Sequence, residues 1–129
     1  MDAAEAVVEE SLGRVTIAPE VLVTIARLTA LSIPGVARLS RTWAGNVIRF
    51  LGRLVATERH IAGQGVKIEV EDDSVSVDLY IIAEPDVNML ELGHSIQAEV
   101  ARAIDNMVGM HVREVNIHIQ DVETRPGER

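Results

Sequence analysis

The first candidates for chemistry are acidic residues and histidines at metal-ligand spacing. Glu91 and His94 stand three residues apart in a segment with helical periodicity, which is the Glu-x-x-His half of a carboxylate-bridged metal site. A complete site needs a second copy of this motif, and the sequence contains none. We therefore interpret both residues as surface polar groups and predict no metal and no other cofactor.

Five acidic residues surround one predicted turn: Glu69, Glu71, Asp72, Asp73 and Asp78. Clustered carboxylates attract cations, but this stretch lacks the acidic alternation and the glycine of a calcium-binding loop. His118 falls on the polar face of a later strand and His111 at its start. Each is either a partner for a carboxylate across the sheet or, as is usual for a histidine on a wet sheet face, only a solvated polar residue. We interpret the acidic cluster as a solvated turn.

No nucleophile stands at a recognisable spacing from a base. Ser11, Ser40 and Ser95 lack the G-x-S-x-G elbow, and Gly63–Gly65 lacks both the lysine and the following helix of a phosphate loop. We predict that the protein is not an enzyme. The alternative from another class is a small ligand- or metal-dependent enzyme that uses Glu91, His94 and His118.

Composition limits the remaining classes. The chain has 129 residues, of which 47% are hydrophobic, enough for one core of ordinary size. A net charge of -8 and only three aromatic residues disfavour nucleic acid as a partner. The absence of cysteine fits a reducing compartment, and the acidic start does not resemble a signal peptide, so we expect a cytoplasmic protein.

The elements that must position any site are clearest between residues 65 and 122. Two alternating runs, 66–70 and 75–81, predict an antiparallel hairpin, and Ile82 indicates a strand end that is covered on both faces. Asn88 predicts the start of a helix and Gly109 its end. The predicted apolar stripe of this helix consists of Met89, Ile96, Val100, Ala103, Ile104 and Met107, with the small residue Gly93 among them. A last strand follows, with Val115, Ile117 and Ile119 inward.

Before this block, Val15 and Ile17 predict a short strand, and Pro19 a helix start. The predicted apolar face of that helix consists of Val21, Leu22, Ile25, Leu28 and Leu31. We expect one α+β domain over residues 13–122, a two-layer sandwich in which a mixed or antiparallel sheet of about four strands carries helices on one face, in the order β-α-(α)-β-β-α-β. Residues 1–12 and 123–129 are predicted to be flexible termini.

A basic amphipathic insert, predicted as a helix over residues 41–61, interrupts this pattern. Residues 36–64 carry five arginines against one glutamate, and apolar residues recur there at helical spacing. A transmembrane helix is excluded, because central arginines cost about 2.5–3.5 kcal/mol each. The insert is either a third core helix or a docking surface for an anionic membrane or a partner protein. The candidate partner-binding residues are Arg38, Arg41, Trp43, Arg49, Phe50, Arg53 and Arg59.

Residues 17–21 read IAPEV, and GVKIEV, DLY, SIQ and VNIHIQ follow at 65–70, 78–80, 95–97 and 115–120. The two stretches that contain these motifs resemble the alkaline shock protein family, a group of envelope stress response proteins. The resemblance covers residues 13–122, although the 41–61 segment is longer and more basic than the family's usual linker.

The resemblance implies a non-enzymatic bacterial protein in the cytoplasm, near the membrane through a small membrane-anchored partner and connected with envelope stress. It also implies an alternative, a regulator of fatty acid synthesis that acts by protein–protein contact. Independently of this resemblance, we expect a scaffold protein that self-associates through a sheet edge or a helix face.

Overall fold

The computed structural model describes residues 6–10, 12–40, 60–63 and 65–124. Within these ranges the elements are β1 Ala6–Glu10, β2 Gly13–Ile17, α1 Glu20–Leu31, β3 Val36–Leu39, β4 His60–Gly63, β5 Val66–Glu71, β6 Ser74–Ala83, α2 Met89–Val108 and β7 His111–Val122. The α+β class is confirmed, since the described residues form two helices and a mixed sheet of five strands.

Strand β6 lies at the centre of the five-stranded sheet. Strand β7 pairs with it in parallel along its whole length, through Ser74–Ala83. The other edge of β6 is shared, because β5 pairs with Ser74–Leu79 and β3 with Ile81–Ala83, both antiparallel. Strand β4 extends the sheet beyond β5. The predicted hairpin 66–70 and 75–81 is confirmed as β5 and β6.

Alternation along the strands places apolar side chains under the two helices. Val77, Leu79 and Ile81 of β6 are fully buried and pack with Ile96 and Ile104 of α2. Ile82, on the opposite face of β6, is also buried, which confirms the prediction of cover on both faces near the strand end. The core therefore lies between one sheet face and the helices.

The ends of α2 agree with the sequence prediction. The Asn88 side chain accepts a hydrogen bond from the Glu91 backbone N–H at 3.0 Å, and Gly109 ends the helix with φ 78°. The buried stripe differs in part, because Leu92 joins Ile96, Val100 and Ile104, while Met89 and Met107 are exposed. Helix α1 shows the same kind of difference: its buried residues are Leu22, Ile25, Ala26 and Ala30, and its exposed apolar residues are Val21, Leu28 and Leu31.

The predicted order of elements needs three corrections. Val15 and Ile17 form a strand, but β2 pairs with β1 in a separate two-stranded sheet rather than with the main sheet. Residues 6–10, expected in a flexible terminus, are strand β1. Strands β3 and β4 were not predicted, because four residues give too little alternation to recognise.

The predicted insert helix is wrong at its last two residues, since His60 and Ile61 belong to strand β4. The rest of this prediction, residues 41–59, lies outside the described residues. Ser40, the last described residue before it, and Gly65, at the start of β5, meet at one point of β6. The Tyr80 carbonyl accepts a hydrogen bond from the Ser40 N–H at 2.7 Å, and the Tyr80 N–H donates to the Gly65 carbonyl at 2.9 Å. Strand β3 therefore ends at the point of β6 where β5 begins.

Gly65 makes this junction sterically possible. Its φ is +82°, and a Cβ at this position would lie 2.8 Å from the Ser40 carbonyl oxygen and 2.9 Å from the Leu39 Cβ. Real Cβ atoms do not approach backbone so closely, and this backbone conformation favours glycine. The close approach of two strand ends on one edge of β6 therefore requires a residue without a side chain.

Candidate functional site

An open groove of about 370 Å³ lies between α2 and the edge strand β7. Its lining residues are Met89, Leu90, Gly93, His94, Gln97, Ile117 and Ile119. Helix α2 turns Leu92 and Ile96 toward the core, so the adjacent stripe of the helix overhangs β7. The Gln97 amide donates a hydrogen bond to the Val115 carbonyl at 3.0 Å, which fixes the helix to the strand beside the groove.

The groove is apolar and open. Leu90 is 71% exposed, an unusual position for leucine in the first turn of a helix that packs on a sheet. A Cβ on Gly93 would meet no atom of the described residues within 4 Å, apart from its chain neighbours and the backbone of its own helix. A glycine inside a helix costs about 1 kcal/mol relative to alanine, and packing inside the described chain does not explain it here. The arrangement can hold an apolar side chain or a strand from another molecule.

The second cluster lies on the sheet face that the helices do not cover. His118 Nε2 lies 3.0 Å from Asp78 Oδ1, and the His118 ring stacks on Tyr80 with ring centroids 4.5 Å apart. Parallel pairing of β6 with β7 places Tyr80 beside His118 and Asp78 two residues earlier. The sequence left this pairing open beside a solvated histidine, and the structure shows His118 paired with Asp78.

Two side chains on this polar face are almost completely shielded from water. Tyr80 is only 8% exposed and Ser76 only 5%. Burial raises the pKa of the Tyr80 hydroxyl above its ordinary value of 10.0, and the negative charge of Asp78 shifts this pKa in the same direction. Arg113, beside the first irregularity in β7, reaches over β6 to Glu69 at 3.5 Å and Glu71 at 3.7 Å. Polar contacts on this face therefore connect β7 with both β6 and β5.

The residues of the alternative enzyme hypothesis are not brought together. Glu91 and His94 lie on α2, in the helical layer, whereas His118 points from the opposite face of the sheet toward Asp78. Across the parts of the chain that the structure describes, no three histidine or acidic side chains are grouped to hold a metal ion. The acidic cluster includes the turn between β5 and β6, where Asp72 adopts a left-handed turn conformation with φ 55°.

The predicted partner-binding residues fall almost entirely outside the described chain. Only Arg38 is described: it lies on β3, is exposed, and its Nε is 3.6 Å from a carboxylate oxygen of Glu123. The other six are Arg41, Trp43, Arg49, Phe50, Arg53 and Arg59, and their role stays a prediction. In the described residues no helix is long and apolar enough to cross a membrane.

The groove was missed by the sequence analysis, although two signals indicate it. Met89 and Leu90 are adjacent apolar residues, and adjacent helical positions cannot both point into one buried stripe. Gly93 stands inside a long helix without a bend or a close backbone approach to require it. Together these features mark a helix side that is apolar and unfilled.

Comparison with known proteins identifies the group. A sequence profile of the alkaline shock protein 23 family, described as having a cell envelope-related function, matches residues 7–124. The uncharacterized protein YqhY of Bacillus subtilis is 32% identical over 112 residues, which are 87% of this chain and 78% of that protein. No solved structure matches the chain.

More distant relatives include a protein described as a stress response regulator. The uncharacterized protein YloU of Bacillus subtilis is 26% identical over 110 residues, 85% of this chain and 88% of YloU. A stress response regulator Gls24 homologue of Streptococcus pyogenes serotype M3 is 30% identical over 101 residues, and the match spans 78% of this chain but only 55% of that longer protein. The chain belongs to the alkaline shock protein 23 family, a group of proteins with a cell envelope-related function.

Proposed function

We propose that this protein is a non-enzymatic interaction module of the bacterial envelope stress response, which a basic segment recruits to a membrane-anchored protein. The observation that carries the proposal is the family match over residues 7–124, since that family has an envelope-related function. The relatives described as stress response regulators support the same direction.

The described surfaces support binding better than catalysis. The groove is lined by apolar side chains, and His94 is the only ionisable group among its lining residues. His118 is engaged by Asp78 and Tyr80 on a different face. General acid–base chemistry needs an acid or base within hydrogen-bond reach of a bound substrate, and an apolar groove with one histidine supplies little of this.

Charge asymmetry supports the recruiting role of residues 38–59. The chain as a whole carries a net charge of -8, so an anionic surface repels most of it. The five arginines between residues 36 and 64 reverse the sign locally. Each arginine near an anionic surface contributes about 1 kcal/mol, and this attraction fades within a Debye length of roughly 10 Å. The segment therefore orients the protein as it approaches the cytoplasmic side of the membrane.

Charge reversal tests the proposal. We expect Arg49→Glu with Arg53→Glu to abolish capture of an envelope membrane protein from cells. The matched control is Arg14→Glu with Arg102→Glu, an equal change of charge at exposed positions outside the segment. Liposomes with anionic headgroups, sedimented at low and high salt, distinguish a lipid surface from a protein partner.

Two results would overturn the proposal. If the segment variant keeps its fold by circular dichroism and captures the same proteins as the control, residues 38–59 are not the docking surface. Stoichiometric metal in the purified protein that is lost in His94→Ala would instead favour a metal-dependent enzyme.

A further inference from the structure

We propose that two copies of this chain pair through β7, antiparallel about a two-fold axis, so that each copy covers the groove of the other. The proposal deepens the function above by naming a partner, and it rests on that function for its biological role. Its physical basis is independent of residues 38–59.

Strand β7 has one long edge that no described strand covers. Within the described residues, β7 pairs with β6 and with no other strand, so one long edge is open. Irregularities in the β6–β7 pairing, next to Val75 and Ile81, bound a regular stretch of β7 from Glu114 to Ile119. The Val115 carbonyl in this stretch already accepts a hydrogen bond from Gln97. The rest of an open edge presents N–H and C=O groups to a further strand, and bulges at both ends limit where that strand can bind.

The apolar groove lies directly beside this edge of β7. Ile117 and Ile119 pack against the core and also line the groove, and Leu90 lies exposed beside them. A strand added to β7 places its own apolar side chains in this groove. A second copy brings the same three residues, so an isologous contact buries both sets at once. The empty space at Gly93 lets the two α2 helices approach each other.

Two copies with a net charge of -8 repel each other, so carboxylates in their contact must be few and paired. Glu91 and Glu99 of α2 lie outside the groove lining, which contains no acidic residue. The groove side of α2 therefore permits a close approach between copies.

Strand periodicity restricts the register. Residues directly opposite each other in an antiparallel pair point to the same face. Ile117 and Ile119 must remain on the helical face, so odd-numbered residues must oppose odd-numbered ones. With Asn116 opposite its own copy, Glu114 lies opposite the histidine at position 118 of the second copy, a favourable polar pair. Shifting the centre to Ile117 removes this pair, because Glu114 then opposes Gln120.

A cysteine cross-link tests the register directly, because the chain contains no cysteine. Opposite Cα atoms in an antiparallel pair are about 4.5–5.5 Å apart, within the range of a disulfide. We expect Asn116→Cys to form a covalent dimer under mild oxidation. Asn106→Cys, exposed on α2 outside the groove, is the control and should remain monomeric under the same conditions.

Charge placed in the groove tests the contact without cross-linking. Leu90 and Met107 are apolar residues of α2 with almost equal exposure, 71% and 68%, and only Leu90 lines the groove. In light scattering, Leu90→Glu should raise the dimer dissociation constant at least about tenfold, since it buries an unpaired charge. Met107→Glu should leave it unchanged.

Gly93→Ala separates this role from folding. Alanine should stabilise the helix of the isolated chain, because its Cβ meets no atom there. The same methyl group should weaken association, since it occupies space that the second copy uses. Higher stability together with weaker pairing is a combination that a purely structural glycine does not produce.

Several outcomes would overturn the inference. A monomer at about 100 μM, or equal dissociation constants for Leu90→Glu and Met107→Glu, would show that the groove is not a contact between copies. A monomer whose groove binds an extended peptide of another protein would also show that the groove is not a contact between copies. It would leave the proposed function intact. Conversely, dimers that keep the Asn116→Cys cross-link, with no captured protein, would leave this contact standing while the recruiting function fails.

Discussion

The two faces of the central strand β6 are both largely buried, yet they are chemically different. Toward the helices the strand presents Val77, Leu79 and Ile81, each with no exposed surface. Toward the other side it presents Ser76, Asp78 and Tyr80, and two of these contact His118 of β7, Asp78 through a polar contact and Tyr80 through ring stacking. The same backbone therefore carries a dry apolar face and a polar face.

This difference indicates where stability and where pairing specificity arise. Apolar burial contributes about 25 cal/mol per Å², so the helical face supplies most of the folding free energy. Exposed ion pairs such as those of Arg113 with Glu69 and Glu71 contribute about 0–1 kcal/mol each. These ion pairs connect β7 with β5 across β6, so they favour one register of the sheet and add little stability.

The largest expected effect is on the helical face. Ile104→Ala removes a fully buried side chain of α2 and should lower the free energy of unfolding by about 2–5 kcal/mol, measured by urea denaturation. Leu28→Ala on α1 is the control, because Leu28 is more than half exposed and its loss should cost far less. Similar losses in both variants would contradict the assignment of the core to this face.

A smaller effect is expected where β3 and β5 meet beside Tyr80. Gly65→Ala forces a side chain into a conformation that costs roughly 1–3 kcal/mol and also meets the Ser40 carbonyl at 2.8 Å. Gly109→Ala has nearly the same φ, 78°, but open space around its Cβ. The difference in unfolding free energy between the two variants measures the steric contact alone. Equal destabilisation would mean that the strand ends separate easily.

The smallest effect is a titration on the polar face. Tyr80 is the only tyrosine in the chain, so phenolate absorbance reports its ionisation alone. The pKa is raised in the folded protein, so the corresponding stability is present below pH 10 and is lost as the pH rises through the folded-state value. We expect Tyr80 to ionise at higher pH in the folded than in the unfolded protein.

Asp78→Asn separates the two causes of this shift. It removes the charge of Asp78 but leaves the burial of Tyr80, so the pKa should fall only part of the way toward 10.0. Asp105→Asn, an exposed change on α2, should leave the titration unchanged. A folded-state pKa equal to that of the unfolded chain would show that this face is open to water.

Local signals allowed much of the fold to be predicted. The hairpin of β5 and β6, the bounds of α2 and the last strand follow from alternation and from caps at Asn88 and Gly109, which depend on neighbouring residues only. The polar positions of His118 and Asp78 on their strands made their pairing one of two open outcomes, and only the structure shows which of them applies. The seven-residue docking surface stays a prediction.

The sequence by itself thus determined the α+β class, the family and the positions of the long elements, because period and capping are properties of short stretches. Only the tertiary structure decided the short strands β3 and β4, the separation of β1 and β2 from the main sheet, and the groove over β7. These features depend on which distant backbone edges meet and on how far each helix rotates about its axis. Leu28 and Leu90 are exposed for that reason, since packing against the sheet selects only one part of each apolar surface.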